Sequence, residues 1–350
     1  MRKTALVFLL VLVVALPSAA IAKEKNELVI CGWGGVGEKM QRKAFYDPFE
    51  KETGIRVIAV APPSSAKIKA MVESGNVEWD LVLGADPLFQ PCVKNNLLAK
   101  IDYKYFDKKT LDELFPEAKQ EYGVGYFYFS TAMVYSTQAY SKDNHPRTWA
   151  EFWDVKRFPG LRTLLSPGLV GSAWEYALLA DGVPIDKLYD NPDLDRAFKK
   201  FTEIKPYVVK WWKQGTTPGQ LLIDKEVVLG DAYNGRIQRL KDQGAPVDIE
   251  WNQGALWLEY LFIPKGAPHF DNACKFLAFA SRPKGQAVHA KLLAYGPVNR
   301  AAFDLLSTEE ARKLPSYPEN KNKQFMMNGK WYRNNAEKVI ELWNIWILKK

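Results

Sequence analysis

Three cysteines and three histidines in 350 residues leave little material for metal or redox chemistry. Cys31, Cys92 and Cys274 form no C-x-x-C pair, and His145, His269 and His289 stand apart from them and from one another. No ligand spacing for zinc or another metal is present, so no metal and no cofactor is expected. An odd cysteine count permits at most one disulfide and leaves one thiol over; buried structural thiols are the simpler expectation. Catalytic signatures are missing too. There is no G-x-S-x-G elbow, no H-E-x-x-H pair and no Walker or kinase set. A secreted hydrolase of unfamiliar type stays as the alternative, and otherwise no enzyme is expected. After the N-terminal region no 18-residue apolar run lacks a charge, so no later segment is expected to span a bilayer. The basic surplus, 48 Lys and Arg against 40 Asp and Glu, is spread along the chain without a basic block. Nucleic-acid binding therefore has no footprint, and a solvated basic surface is expected.

What is present is a globular composition: 47% hydrophobic, 25% charged and 13% aromatic. At 350 residues a single core is near its size limit, which favours two lobes. Arg2 and Lys3 precede an apolar run from Ala5 to Leu16, then Pro17, Ser18 and Ala20-Ile21-Ala22. A charged start, a short apolar stretch and an A-x-A end are the marks of a secretory signal peptide, residues 1–22, cut after Ala22. No cysteine stands at that point, so no lipid anchor is expected, and the chain reads as a soluble exported protein.

Strands and helices alternate along the rest. Residues 27–31, 55–60 and 79–83 read as apolar strands, with helices over 35–53, 66–74 and 87–98 between and after them. Further on, 122–135 is aromatic and β-rich, 148–153, 171–180 and 195–212 read as helices, and 162–165, 226–231 and 257–263 as strands. The chain closes on helices over 269–281 and 336–348. Apolar strands joined through helices imply parallel sheet covered on both faces. In such sheets ligands bind at the carboxyl ends of strands where the strand order reverses. That directs attention to the loops at 32–37, 84–87, 166–168 and 231–236 and to the neighbourhood of 257–259.

The first loop fits G-x-G-x-x-G through Gly32, Gly34 and Gly37. A dinucleotide fold also needs an acidic residue about 20 positions on, to hold the ribose. The second strand ends Ala59-Val60-Ala61-Pro62, without a carboxylate, and the dehydrogenase reading fails there. What survives is a helix N-terminus whose free N–H groups can meet an anion. Aromatics are the positive signal: 12 Trp and 16 Tyr, with Trp33, Tyr233, Trp257 and Tyr295 on or beside those loops. Singly, each fits core packing; together they suit a cage for an alkyl chain or a cation, with Glu259, two positions from Trp257, supplying negative charge.

The order of these pieces resembles one family. Gly32-Trp33-Gly34-Gly35, then 44–54, Trp79-Asp80-Leu81-Val82, Thr148 to Trp153, Tyr233-Asn234-Gly235, Trp257-Leu258-Glu259, Tyr295 to Asn299 and Asn328 to Tyr332 resemble the substrate-binding proteins of polyamine-type ABC importers, the spermidine/putrescine group. The likeness runs over essentially the whole chain after the signal segment. It implies a type II periplasmic-binding architecture, α/β, with a ligand cleft between two mixed-sheet lobes. The expected division is residues 23–130 with 257–303, and 131–256 with 304–350, joined by crossover strands that act as the hinge. It also implies a monomer that passes a small-molecule ligand to an inner-membrane permease.

Carried over by position, Trp33, Tyr233, Trp257 and Tyr295 resemble the family's aromatic box, Glu259 its ammonium-holding carboxylate and Tyr332 a polar contact. The chain departs where polyamine binders set further carboxylates. Gly34 and Gly35 follow Trp33, and Ser166, Pro167 and Gly168 follow the strand ending at Leu165. Asp86 is acidic nearby, and Arg236 adds a cation beside the Tyr233 turn. One carboxylate facing a di- or trication leaves a charge unpaired, which is costly. The expected ligand is therefore a γ-amino-acid-like zwitterion or, failing that, a polyamine. Arg236 either meets the ligand's anionic end or pairs elsewhere on the surface.

Overall fold

A computed structural model describes residues 26–169, 171 and 173–349. The expected signal segment and its cleavage point lie outside the described residues. Among the described residues, nine strands form one sheet: β1 (Glu27–Cys31), β2 (Arg56–Val60), β3 (Leu81–Ala85), β4 (Val124–Ser136), β5 (Arg162–Leu165), β6 (Val208–Trp212), β7 (Leu229–Tyr233), β8 (Val247–Phe262) and β9 (Phe325–Met326). Their order is β2-β1-β3-β8-β4-β7-β5-β6, with β9 on β8.

The sheet is mixed, as the resemblance implied and unlike the parallel sheet that the alternation of strands and helices suggested by itself. β1 runs parallel to β2 and β3, and β5 parallel to β6 and β7. Between these groups, β4 and β8 pair antiparallel with each other and with β7 and β3. At 13 and 16 residues, the two central strands are ~40–55 Å long, enough to run through both halves of the molecule. Sequence alone found only the last part of β8. Its first half, Val-Asp-Ile-Glu-Trp-Asn-Gln, is half-buried and polar, so it shows no apolar run.

Packing follows the same division. One core gathers Trp149, Phe152, Trp174, Phe201, Trp343 and Trp346 around the β5–β7 half. Two others cover the faces of the β1–β3 half, one with Phe45, Phe49 and Phe276, the other with Ile68, Phe89 and Phe262. Phe129 on β4 packs against both the first and the second of these.

Several boundaries moved for identifiable reasons. The helix expected over 195–212 stops at Ile204, where Pro206 and the β-branched Val208-Val209 turn it into strand β6. The last helix starts at Gly329 instead of 336, because the Asn328 side chain accepts from the Trp331 amide and caps it. Cys31, Cys92 and Cys274 are free and buried. Burial pushes the Cys31 and Cys92 thiols up to about 12.

Behind the central strands the two halves meet a second time. The helix Asp86–Lys94 belongs to the β1–β3 half, and the helix Gly329–Ile347 belongs to the other. Gln90 Nε2 donates to Asp86 Oδ1 at 2.7 Å, and Arg333 Nε donates to Gln90 Oε1 at 2.8 Å. Gly329 permits this approach: a Cβ there would lie 2.1 Å from Asp86 Oδ1 and 2.5 Å from Gln90 Nε2. Gly329→Ala should therefore force this junction apart and cost about 1–3 kcal/mol. Thermal unfolding checks it, and an unchanged midpoint would mean that Asp86 swings aside freely.

Candidate ligand cleft

The alternation of side chains along β4 and β8 builds the floor of the cleft. The register sets Phe127 opposite Glu259 and Phe129 opposite Trp257, with Thr131 opposite Tyr233 on β7. Residues two apart share a face, so these side chains point to one side. Tyr128 and Leu258 point to the other, into the core behind. Ala85, opposite Glu259 on β3, completes the row.

A cavity of about 620 Å³ opens above this floor. From the β1 side it is walled by Trp33, Gly34, Gly35 and the start of the following helix, and by Pro87 and Leu88. From the other side come Leu165, Gly215, Tyr233 and Arg236, and Leu293 and Tyr295 close a third edge. The aromatic rings are ordered in pairs. Phe127 stacks on Tyr295 (5.0 Å, 4°) and Phe129 on Trp257 (5.8 Å, 7°), while Tyr233 meets Phe129 edge-on. Such pairs hold each other's faces in place without specific polar contacts.

The Tyr233-Asn234-Gly235 turn ties this wall together. Asn234 Oδ1 accepts from the Ser130 amide at 2.9 Å, and its Nδ2 donates to the Ala294 carbonyl at 2.7 Å. Gly235 leaves room for the Tyr295 ring, whose Cε1 would lie 2.7 Å from an added Cβ. Arg236, the exposed residue of the first turn of the helix Asn234–Asp242, makes no hydrogen bond or ion pair among the described residues.

Glu259 is the chemical centre. Only 4% of it is exposed, and Trp33 Nε1 donates to its Oε1 at 2.6 Å from the mouth, where Trp33 itself is 57% exposed. Burial, with the Asp86 charge behind it, pushes the Glu259 carboxyl up to about 7 against the opposing pull of the Trp33 bond. Near neutral pH the empty cleft thus holds a carboxyl close to its titration point, and a bound cation would favour its ionised form, the proton passing to solvent. Its second face is a set of aromatic rings, a setting in which a buried ammonium finds both a counter-charge and ring faces.

The structure brings Trp33, Gly34, Gly35, Tyr233, Arg236, Trp257, Glu259 and Tyr295 to this one cavity. It does not bring Asp86, Ser166 or Tyr332 there. Asp86 turns to the far side of β8, into a separate cavity of about 530 Å³ with Gln90 and Arg333. Ser166 is fully buried, its hydroxyl without a hydrogen-bond partner among the described residues. Tyr332 lies in the first turn of the last helix, not in a loop, and its hydroxyl is held inside the core by Trp174 and Glu175. Phe127, Phe129, Leu165, Glu38 and Gln41 line the cleft unanticipated. The first two lay in a visibly aromatic run, but only strand register shows which of its rings face the cleft. No group of three or more His, Cys, Asp or Glu able to hold a metal ion occurs among the described residues. No helix there is long and apolar enough to cross a membrane.

The family model for bacterial extracellular solute-binding proteins matches residues 44–321. The chain belongs to that family. Its members are binding components of ABC importers, which take up a solute and hand it to a permease without chemical change. The secreted-hydrolase alternative finds no support. The chain is 32% identical to the gamma-aminobutyric acid-binding protein of Pseudomonas aeruginosa, over 94% of this chain and 93% of that one. It is 26% identical to the spermidine/putrescine-binding periplasmic protein of Escherichia coli K12, over 90% and 88%. A solved GABA receptor structure, 34% identical, superposes with a TM-score of 0.84 over 93% of this solute-binding chain and 98% of the other. The two-lobed architecture expected from the sequence is that of these structural neighbours.

Proposed function

We propose that this solute-binding protein captures a small zwitterionic amine, such as a γ-amino acid, and delivers it to an ABC permease. One observation carries the reading: the cavity sets the buried Glu259 carboxylate among paired aromatic rings and, on its other wall, an Arg236 guanidinium with no hydrogen-bond or ion-pair partner among the described residues. A ligand with an ammonium at one end and a carboxylate at the other satisfies both. A diamine would place its second cation toward Arg236, a like-charge contact. The names of the relatives, one GABA-binding and one spermidine/putrescine-binding, bracket the same choice.

The lobes are taken as 23–130 with 257–303 and 131–256 with 304–350, hinged on β4 and β8 near Phe129. Residues near 321 reach back across, since Lys321 pairs with Glu117 at 2.6 Å. Ligand held by both lobes would favour closure, the form a permease can distinguish. Export to the periplasm with cleavage after Ala22, as a monomer, completes the proposal.

Glu38, half-buried on the cavity wall, favours a second reading, because a further carboxylate would suit a polyamine. Thermal unfolding of ligand-stripped protein with 4-aminobutyrate, putrescine and spermidine separates the two. Ligand at 100 times Kd adds about 2.7 kcal/mol. A stabilisation by 4-aminobutyrate exceeding that by either polyamine is expected; a response to polyamines alone would overturn the zwitterion reading.

A further inference from the structure

Gln41 closes the helix Gly35–Gln41 and is 5% exposed, and what it exposes belongs to the cleft wall. The Tyr46 hydroxyl, itself buried, donates to Gln41 Oε1 at 2.9 Å and so orients the amide. Its oxygen stands behind Gly32, 4.0 Å from where a Cβ would be. The amide nitrogen, with two N–H groups, has no hydrogen-bond partner among the described residues. That nitrogen is not shut off from solvent, so it opens on the cleft that Gln41 lines, and cavity-facing polar groups of this kind fix ligand orientation.

We propose that Gln41 is a specificity-determining residue that donates its amide N–H to an oxygen of the bound solute. The inference rests on the amine-zwitterion reading above and deepens it. Glu259 selects the ammonium, and Gln41 selects for an acceptor that a plain diamine lacks. The Tyr46 hydroxyl acts as the positioning group, since it holds the amide oxygen and leaves the nitrogen to the cleft. Glu38, one turn earlier on the same wall, offers only acceptors when ionised and does not duplicate this role.

Calorimetric titration of the full protein with 4-aminobutyrate and 1,4-diaminobutane tests it, because the two differ in one end group. Gln41→Leu should weaken 4-aminobutyrate by about tenfold or more and leave the diamine unchanged. Equal losses for both ligands, no loss for either, or a loss confined to the diamine would each overturn the assignment; the last would mean the amide is turned the other way. A second arm needs no ligand. The double variant Gln41→Met, Tyr46→Phe removes both bonded groups together, so the unligated protein should unfold no lower than wild type. A clear drop would make Gln41 a structural residue and end the proposal. If the wild-type protein binds neither amine, the amine reading falls, and this second arm still judges Gln41.

Discussion

Glu259→Gln is expected to remove amine binding while making the unligated protein more stable. The variant keeps an oxygen for the Trp33 N–H and nearly the same volume, so the fold has no reason to change. The ligand's ammonium, however, would be buried without a counter-charge. Breaking a buried pair in this way costs about 3–5 kcal/mol, a loss of roughly a hundredfold or more in affinity. The stability gain has the opposite origin. Burial raises the Glu259 carboxyl to about 7 from its ordinary 4.5, so the folded chain holds that proton more tightly than the unfolded one. The wild-type protein therefore loses stability from this group as pH rises from the ordinary carboxylate range to about 7, and no more beyond it. Glutamine removes that loss, on the order of 1–3 kcal/mol above neutral pH.

Binding should carry the same signature with the reverse slope. Below about pH 7 the amine competes with a proton for Glu259, so wild-type affinity should fall by up to about tenfold per unit of acidification. Asp86, raised to about 6, and Asp231 and Glu175, raised by burial to about 7 and 8, titrate in overlapping ranges. The stability comparison must accordingly be the difference between wild type and variant at each pH. If Glu259→Gln binds amines as tightly as wild type at pH 7.5 (a routine titration), the ammonium has been assigned to the wrong group.

Substitution of Arg236 should change which ligand is preferred without touching the fold. The side chain is exposed and unpaired among the described residues, so Arg236→Ala should leave the unfolding midpoint of the empty protein where it is. A charge-assisted contact to a carboxylate is worth about 1.5–3 kcal/mol, and closure of the cleft would shield it from solvent. Arg236→Ala is then expected to weaken 4-aminobutyrate by roughly tenfold to a hundredfold and to spare putrescine. Arg236→Glu should go further and favour the diamine. Parallel losses for both ligands would show that Arg236 acts on closure or packing instead of reading the carboxylate.

What the sequence determined by itself was what local patterning can carry. Most of the alternation of strands and helices, the aromatic turns at Trp33, Tyr233 and Tyr295 and the single carboxylate beside Trp257 follow from short-range spacing. The resemblance supplied two lobes and a cleft. Of the placements that escaped it, three show why, each depending on a partner far away in the chain. Asp86 and Ala85 are neighbours in sequence, but only the pairing of β3 with β8 puts Ala85 beside Glu259 and Asp86 behind the sheet. Tyr332 has the composition of a cleft residue, yet the Asn328 cap starts a helix that turns it into the Trp174 and Glu175 core. Phe127 and Phe129 alternate with Tyr126 and Tyr128 in an unbroken aromatic run. A run without polar residues has no period to read, and which rings face the ligand was decided only by the antiparallel register with β8.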